Sequence, residues 1–227
     1  MPQMTPTWFL IGSLGAVGYL TGLVQGNELL MQFARLLPHL ALFRWWWTQS
    51  PPQQDPVRFG LGLGLLGCAT GDFVLRKPQG FIAGVFGFLI AQIGFTAAFL
   101  TLRPKAPAKE QILCGLPLLL YAGGLVTYLW PSLGELRIPV AAYATALALM
   151  TWKAWLTRIP AARVGALLFL TSDSLLAIDK FVPAFHEQPM LRFPIILTYW
   201  GALAALVHTS IRSQLASNDS AGLRLVR

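Results

Sequence analysis

The chain has 227 residues, 55% of them hydrophobic and 11% charged, with a formal net charge of +8. Soluble domains run nearer about 45–50% apolar and about 25% charged, so this composition excludes an ordinary water-soluble enzyme and a disordered tail alike. The seventeen basic residues are dispersed between hydrophobic blocks, with no dense basic run, which speaks against a nucleic-acid partner.

In chain order, the apolar stretches predict eight transmembrane helices, since a bilayer-spanning helix needs about 20 mostly apolar residues. The first, 8–25, follows a Met1 to Thr7 segment without Lys or Arg and has no small-x-small cleavage site after it, so it reads as a retained span and not a cleaved signal peptide. The second, 29–47, contains Arg35, Pro38 and His39 and closes on Trp45-Trp46-Trp47, read as an interfacial aromatic belt. After a Pro51-Pro52 hinge, the third span, 58–75, carries Gly60, Gly64, Gly67, Gly71 and Asp72. The fourth, 80–101, answers with Gly80, Gly84, Gly87, Ala91 and Gly94, and two such small-residue faces predict close backbone packing in lipid. Beyond Pro104 to Pro107 come 111–130, 138–156 with Tyr143, 163–182 with Ser172, Asp173 and Asp179, and 193–211 with Tyr199. The predicted fold class is an all-α integral membrane protein: one eight-span domain over 1–212 and a short polar cytoplasmic tail over 213–227. Cys68 and Cys114 fall inside apolar segments, so neither a disulfide framework nor a Cys-x-x-Cys redox or zinc site is available.

Eight spans put both tails on one side with the loops at 48–57, 102–110 and 157–162. That side holds Arg44, Arg58, Arg103, Lys105, Lys109, Lys153, Arg158, Arg163, Arg212, Arg224 and Arg227, eleven in all, against Arg76, Lys77, Arg137, Lys180 and Arg192 on the other. The positive-inside rule then makes both termini cytoplasmic. Thr70 to Leu75 and Thr171 to Leu176 share the pattern T-[GS]-D-x-[VL]-L at an offset of 101 residues, and Pro38 matches Pro139 at the same offset. Four intervening spans preserve direction, so the pattern is that of two parallel four-helix halves.

Asp72, Asp173 and Asp179 lie within predicted spans, where each carboxylate costs about 2.5–3.5 kcal/mol at mid-membrane on insertion scales and marks a functional position by default. The third and seventh spans run outward, placing Asp72 and Asp173 in the outer half or middle, with Asp179 about 9 Å further out along its helix. Tyr143, Tyr199 and Arg35 fall at similar levels, so these side chains can converge on one polar cavity open to the non-cytoplasmic side. Two carboxyls in one such site can divide acid and base roles between them. Metal chemistry is disfavoured: His39 and His208 fall toward the cytoplasmic ends of their helices and His186 in an outer loop, whereas a zinc site needs three or four ligands around one point. Ser172 and Ser174 have neither a nearby His nor a G-x-S-x-G elbow, against a serine triad. Two classes remain open on these residues, a hydrolase and a transporter or lipid-binding module using the acids as a proton relay.

The run Ile138 to Tyr143, the string Gly165 to Phe181 reading GALLFLTSDSLLAIDKF, Thr198-Tyr199 and the earlier Gly71-Asp72 resemble the lysoplasmalogenase, or YhhN-like, family of eight-span membrane proteins over roughly 29–210. The resemblance implies hydrolysis of the vinyl ether of a lysoplasmalogen to a fatty aldehyde and a glycerophospho-choline or glycerophospho-ethanolamine, without a cofactor or metal. Its partners would be the lysophospholipid substrate and the bilayer, in the inner membrane of a bacterium or the endoplasmic reticulum of a eukaryote. The resemblance makes Asp72, Asp173 and Asp179 catalytic candidates, with the acid and base order open, and Arg35, Tyr143, Ser172 and Tyr199 substrate-binding candidates, Arg35 toward the lipid phosphate, with Gln92 added to them at a position that departs from the family. Gln92 and Phe95 stand where many members have a His and a Tyr, and Leu203 where they have a Gln.

Overall fold

The computed structural model describes residues 5–49, 56–75, 80–102, 105–186 and 188–225, the side chains of 49, 189 and 210–225 excepted. The Pro51-Pro52 hinge, Pro104 and the basic residues Arg76, Lys77, Arg103 and Arg227 lie outside the described residues, as do the side chains of Arg212 and Arg224. Among the described residues the regular structure is helical: α1 Pro6–Gln25, α2 Glu28–Ala34, α3 Leu36–Gln49, α4 Pro56–Leu75, α5 Phe81–Leu102, α6 Ala108–Leu129, α7 Arg137–Leu156, α8 Pro160–Phe181 and α9 Pro189–Leu225, with short 3-10 turns after α6 and α8.

Six helical segments are long and apolar enough to cross a membrane: Pro6–Gln25, Pro56–Leu75, Phe81–Leu102, Ala108–Ser132, Pro160–Phe181 and Met190–Thr209. The predicted second and sixth spans are not among them. Helix α7 has the length, at 20 residues, but carries Arg137 and Lys153. The predicted second span is two helices, broken at Arg35. Pro38 explains the break: it has no N–H for the Ala34 carbonyl, and its ring crowds that carbonyl. At the other end of α2, Gly26 closes α1 with φ of 65°, a left-handed conformation that suits glycine. Asn27 then caps α2, its Oδ1 accepting the Leu30 N–H at 3.0 Å.

The predicted glycine faces form the seam between α4 and α5, the most extensive helix pair in the molecule. A Cβ built on Gly60 would sit 2.6 Å from the Gly94 carbonyl oxygen, and one on Gly67 2.6 Å from the Ala91 nitrogen. Only hydrogen at these positions lets the two backbones touch, which fixes the end of α4 that bears Asp72. The tryptophan cluster departs from the predicted belt in one member. Trp47 is exposed, but Trp46 is buried against Gly62, and both rings receive the Arg58 guanidinium, at 5.5 Å from Trp46 and 5.2 Å from Trp47.

Helix contacts follow a reciprocal scheme. Within the first four predicted spans α1 packs on α3 and α4 on α5; within the second four, α6 packs on α7 and α8 on α9. Across the two sets, α3 touches α9 and α7 touches α5. Phe95, Phe99, Phe169, Leu203 and Leu206 fill the centre, while Phe59, Ile93, Leu120 and Leu197 face outward, an inside-and-outside apolar distribution suited to lipid.

Candidate active site

The polar site grows from the break between α2 and α3. Arg35, at the break, is buried, and its Nη2 donates to Asp72 Oδ1 at 2.7 Å and to the Asp72 carbonyl oxygen at 2.9 Å. One turn later on the same face, His39 donates its Nδ1–H to the Arg35 carbonyl at 3.0 Å. A carbonyl only accepts, so Nδ1 carries a proton. The other ring nitrogen, Nε2, stands 3.0 Å from Asp72 Oδ2 and 3.2 Å from the Tyr199 hydroxyl. Asp72 thus has the guanidinium hydrogen-bonded to one oxygen and the imidazole within ion-pair distance of the other.

Asp173 has a different environment. Its Oδ2 accepts a hydrogen bond from the Tyr143 hydroxyl, and among the described residues no cation pairs with it. Gln92 Nε2 in turn donates to the Tyr143 oxygen at 3.3 Å. The two carboxyls thus have matched supports, each in turn meeting a residue from the other set of four predicted spans. His39 on α3 holds Asp72 and meets Tyr199 of α9; Tyr143 on α7 holds Asp173 and meets Gln92 of α5.

Both acids line one cavity of about 380 Å³, together with Arg35, Ser172, Asp179 and Tyr199. Glu28 from the start of α2 and Arg192 from the start of α9 line it as well. Two smaller apolar hollows also reach Asp173: one of about 60 Å³ between α5, α7 and α8, walled by Phe81, Val85, Val140 and Phe181, and one of about 40 Å³ against α6. Asp173 stands where a charged chamber meets apolar slots.

The structure brings Asp72, Asp173, Asp179, Arg35, Ser172 and Tyr199 to the main cavity, and Tyr143 to the smaller hollows on the far side of Asp173. Gln92 is fully buried behind Tyr143 and reaches the site through that hydroxyl. Ser172 spends its hydroxyl on the Ile195 carbonyl at 2.9 Å, tying α8 to α9. Three charged or titratable residues of the site were not expected from the sequence: His39, Arg192 and Glu28. His39, expected toward the cytoplasmic end of its helix, is instead a contact of Asp72; its spacing of four from Arg35 puts both on one helical face and was the available signal. Arg192 counted only as a topological charge, yet it lines the cavity. Among the described residues no three His, Cys, Asp or Glu side chains are grouped to hold a metal ion.

A sequence model of the YhhN family matches residues 30–210. A protein named Lysoplasmalogenase from Mycobacterium bovis is 37% identical over 126 residues, covering 52% of this chain and 48% of the relative. Lysoplasmalogenase TMEM86B of Rattus norvegicus is 36% identical over 152 residues, 66% of this chain and 61% of the relative. Lysoplasmalogenase TMEM86B of Homo sapiens is 31% identical over 186 residues, 82% of this chain and 77% of the relative. The match thus spans about half the length of the mycobacterial relative. No solved structure matches the chain.

Proposed function

Because the chain belongs to the YhhN family, we propose that it is a membrane-embedded lysoplasmalogenase, cleaving the vinyl ether of a lysoplasmalogen to a fatty aldehyde and a glycerophospho-alcohol by carboxyl acid–base chemistry. One observation supports this reading above the others: two carboxyls with opposite partners share a single cavity, Asp72 bound to Arg35 and His39, Asp173 bound to a hydroxyl. A vinyl ether is an electron-rich alkene that hydrolyses once its β-carbon is protonated. Asp173, which forms no ion pair among the described residues, is the proton donor. Its proton goes to the β-carbon, the alkene pair forms the new C–H bond, and positive charge develops on the α-carbon and ether oxygen. The carboxylates stabilise that cation, as in glycoside hydrolysis. Water then bonds to the α-carbon and gives a proton to Asp72. The hemiacetal collapses as its hydroxyl proton returns to Asp173 and the Asp72 proton passes to the departing glycerol oxygen, so both carboxyls regain their starting states.

The same reading fixes the setting. Helices α2 and α3, with Arg35 between them, cover 22 residues, about 33 Å, and α7 about 30 Å at 1.5 Å per residue, each enough for the hydrocarbon layer. With the six long apolar segments this makes eight crossings, as two parallel halves, both termini cytoplasmic and the chamber facing the other side. The bilayer is the inner membrane in a bacterium or the endoplasmic reticulum in a eukaryote, and residues 1–212 form one domain.

Purified protein given a lysoplasmalogen and its saturated ether analogue tests the proposal. Aldehyde should appear from the vinyl ether alone, because a saturated chain offers no alkene to protonate. Asp173→Asn should lower aldehyde release by about a hundred- to ten-thousand-fold with the fold intact. Equal treatment of the two lipids, or a folded Asn variant of near-normal activity, would overturn it.

A further inference from the structure

The geometry points to the outer end of the main cavity as a binding site for a zwitterionic phospholipid head, with Arg192 receiving the phosphate and Asp179 the ammonium. It rests on the lysolipid reading of the same chamber. The sequence alone offered Arg35 as the phosphate ligand, but Arg35 Nη2 is already committed to a carboxylate and a carbonyl of Asp72. Arg192 lines the same cavity and makes no ion pair with a described residue. Its fork of donors matches phosphate oxygens.

Asp179 supplies the second half. It is only partly exposed, yet its Oδ1 is cut off from solvent and has no hydrogen-bond partner among the described residues. A carboxylate oxygen held in that state wants a donor or a cation. Spacing agrees with both assignments. Asp179 lies six residues beyond Asp173 on α8, about 9 Å along the axis, and Arg192 stands at the neighbouring start of α9. In a lysolipid the glycerol separates the ether oxygen from the phosphate, and the amine lies a few bonds further. An ether at Asp173 therefore brings the head to this ring of charges, while the chain leaves through the apolar hollows that open at the same carboxyl. Because the ring contains both signs, it selects a head that contains both signs. A head ending in phosphate alone would satisfy Arg192 and be repelled by Asp179.

Binding of three non-cleavable probes, saturated ether lysolipids ending in phosphocholine, in phosphate and in plain glycerol, tests this without any turnover. The wild-type protein should prefer phosphocholine. Arg192→Gln should weaken both phosphate-bearing probes about tenfold and leave the glycerol probe unchanged, since a charged hydrogen bond is lost. Asp179→Asn should weaken phosphocholine but strengthen the phosphate-terminated probe, inverting the preference. Inorganic phosphate should not displace the phosphocholine lipid; displacement would mark a simple anion site and overturn the assignment. Loss of all three probes equally, or of none, would overturn it too. If head preference follows these two side chains while vinyl ether is never cleaved, the hydrolase reading fails and the head site stands. Cleavage of the vinyl ether with no dependence on the head removes the head site and leaves the hydrolase.

Discussion

His39 lies one turn beyond Arg35 and stands against the second oxygen of Asp72, so both neighbours of the carboxylate come from one short stretch of α3 and its N-terminal break. Its Nδ1–H bond to the Arg35 carbonyl sets the ring plane and leaves Nε2 aimed at the carboxylate. Removing the imidazole should free Asp72 to rotate about its remaining bond to Arg35. His39→Gln is expected to lower aldehyde release about ten- to a hundred-fold, the loss that goes with one hydrogen bond to a charged group, while the melting temperature shifts little. Unchanged activity in a folded variant would reduce His39 to packing. The acids themselves were legible because charge in an apolar run is costly and stands out. His39 was not, because an imidazole in a helix has many uses and its depth along the span does not reveal which carboxylate it meets. Arg192 was hidden for a related reason: a basic residue near the start of a span looks like a topological flank, and only the cavity shows where its side chain serves.

At the scale of helices, the α4–α5 seam was plain in the chain, since small residues at steps of three and four can only serve close approach in this setting. It also carries a stability prediction. Gly67→Val would place a Cβ 2.6 Å from the Ala91 nitrogen, and backbone cannot step aside as a flexible side chain can. Overpacking of this kind costs about 1–3 kcal/mol, and because Asp72 lies five residues further on α4, activity should fall with stability. Gly123→Ala on α6 is the matched control: nothing stands within 4 Å of its added Cβ, so thermal melting in detergent should be unchanged or slightly raised. Equal destabilisation by both would remove the seam as the cause. What the pattern did not show was the partner of each polar helix. Neither the contact of α3 with α9 nor that of α5 with α7 follows from periodicity, which tells a helix which face to bury but not against whom. The break in the second span had a visible agent in Pro38, yet its position at Arg35 required the structure.

For the whole molecule, the eight-crossing arrangement predicts that Lys105, between α5 and α6, and Gln188, between α8 and α9, lie on opposite sides of the membrane. Single cysteines at these two positions, with Cys114→Ser to remove the partly exposed native thiol, should react with an impermeant maleimide from the cytoplasmic and the outer side respectively. Labelling of both from one side would refute the arrangement. Six of the eight predicted spans are helices long and apolar enough to cross a membrane; the second is broken at Arg35 and the sixth carries Arg137 and Lys153.

The crossed supports, His39 to Tyr199 and Tyr143 to Gln92, have a consequence for biosynthesis. Chains emerge from the ribosome N-terminus first, so Arg35, His39 and Asp72 can meet as soon as α4 is made. Tyr143 and Asp173 join only with α7 and α8, and the hydroxyl that completes the His39 side arrives on α9, the latest of these helices to be translated. A nascent chain halted before α7 and α8 holds Asp72 against Arg35 and His39, with Tyr143 and Asp173 still to come. On the proposed mechanism, reactivity toward surrounding lipid is thereby deferred until insertion is nearly finished.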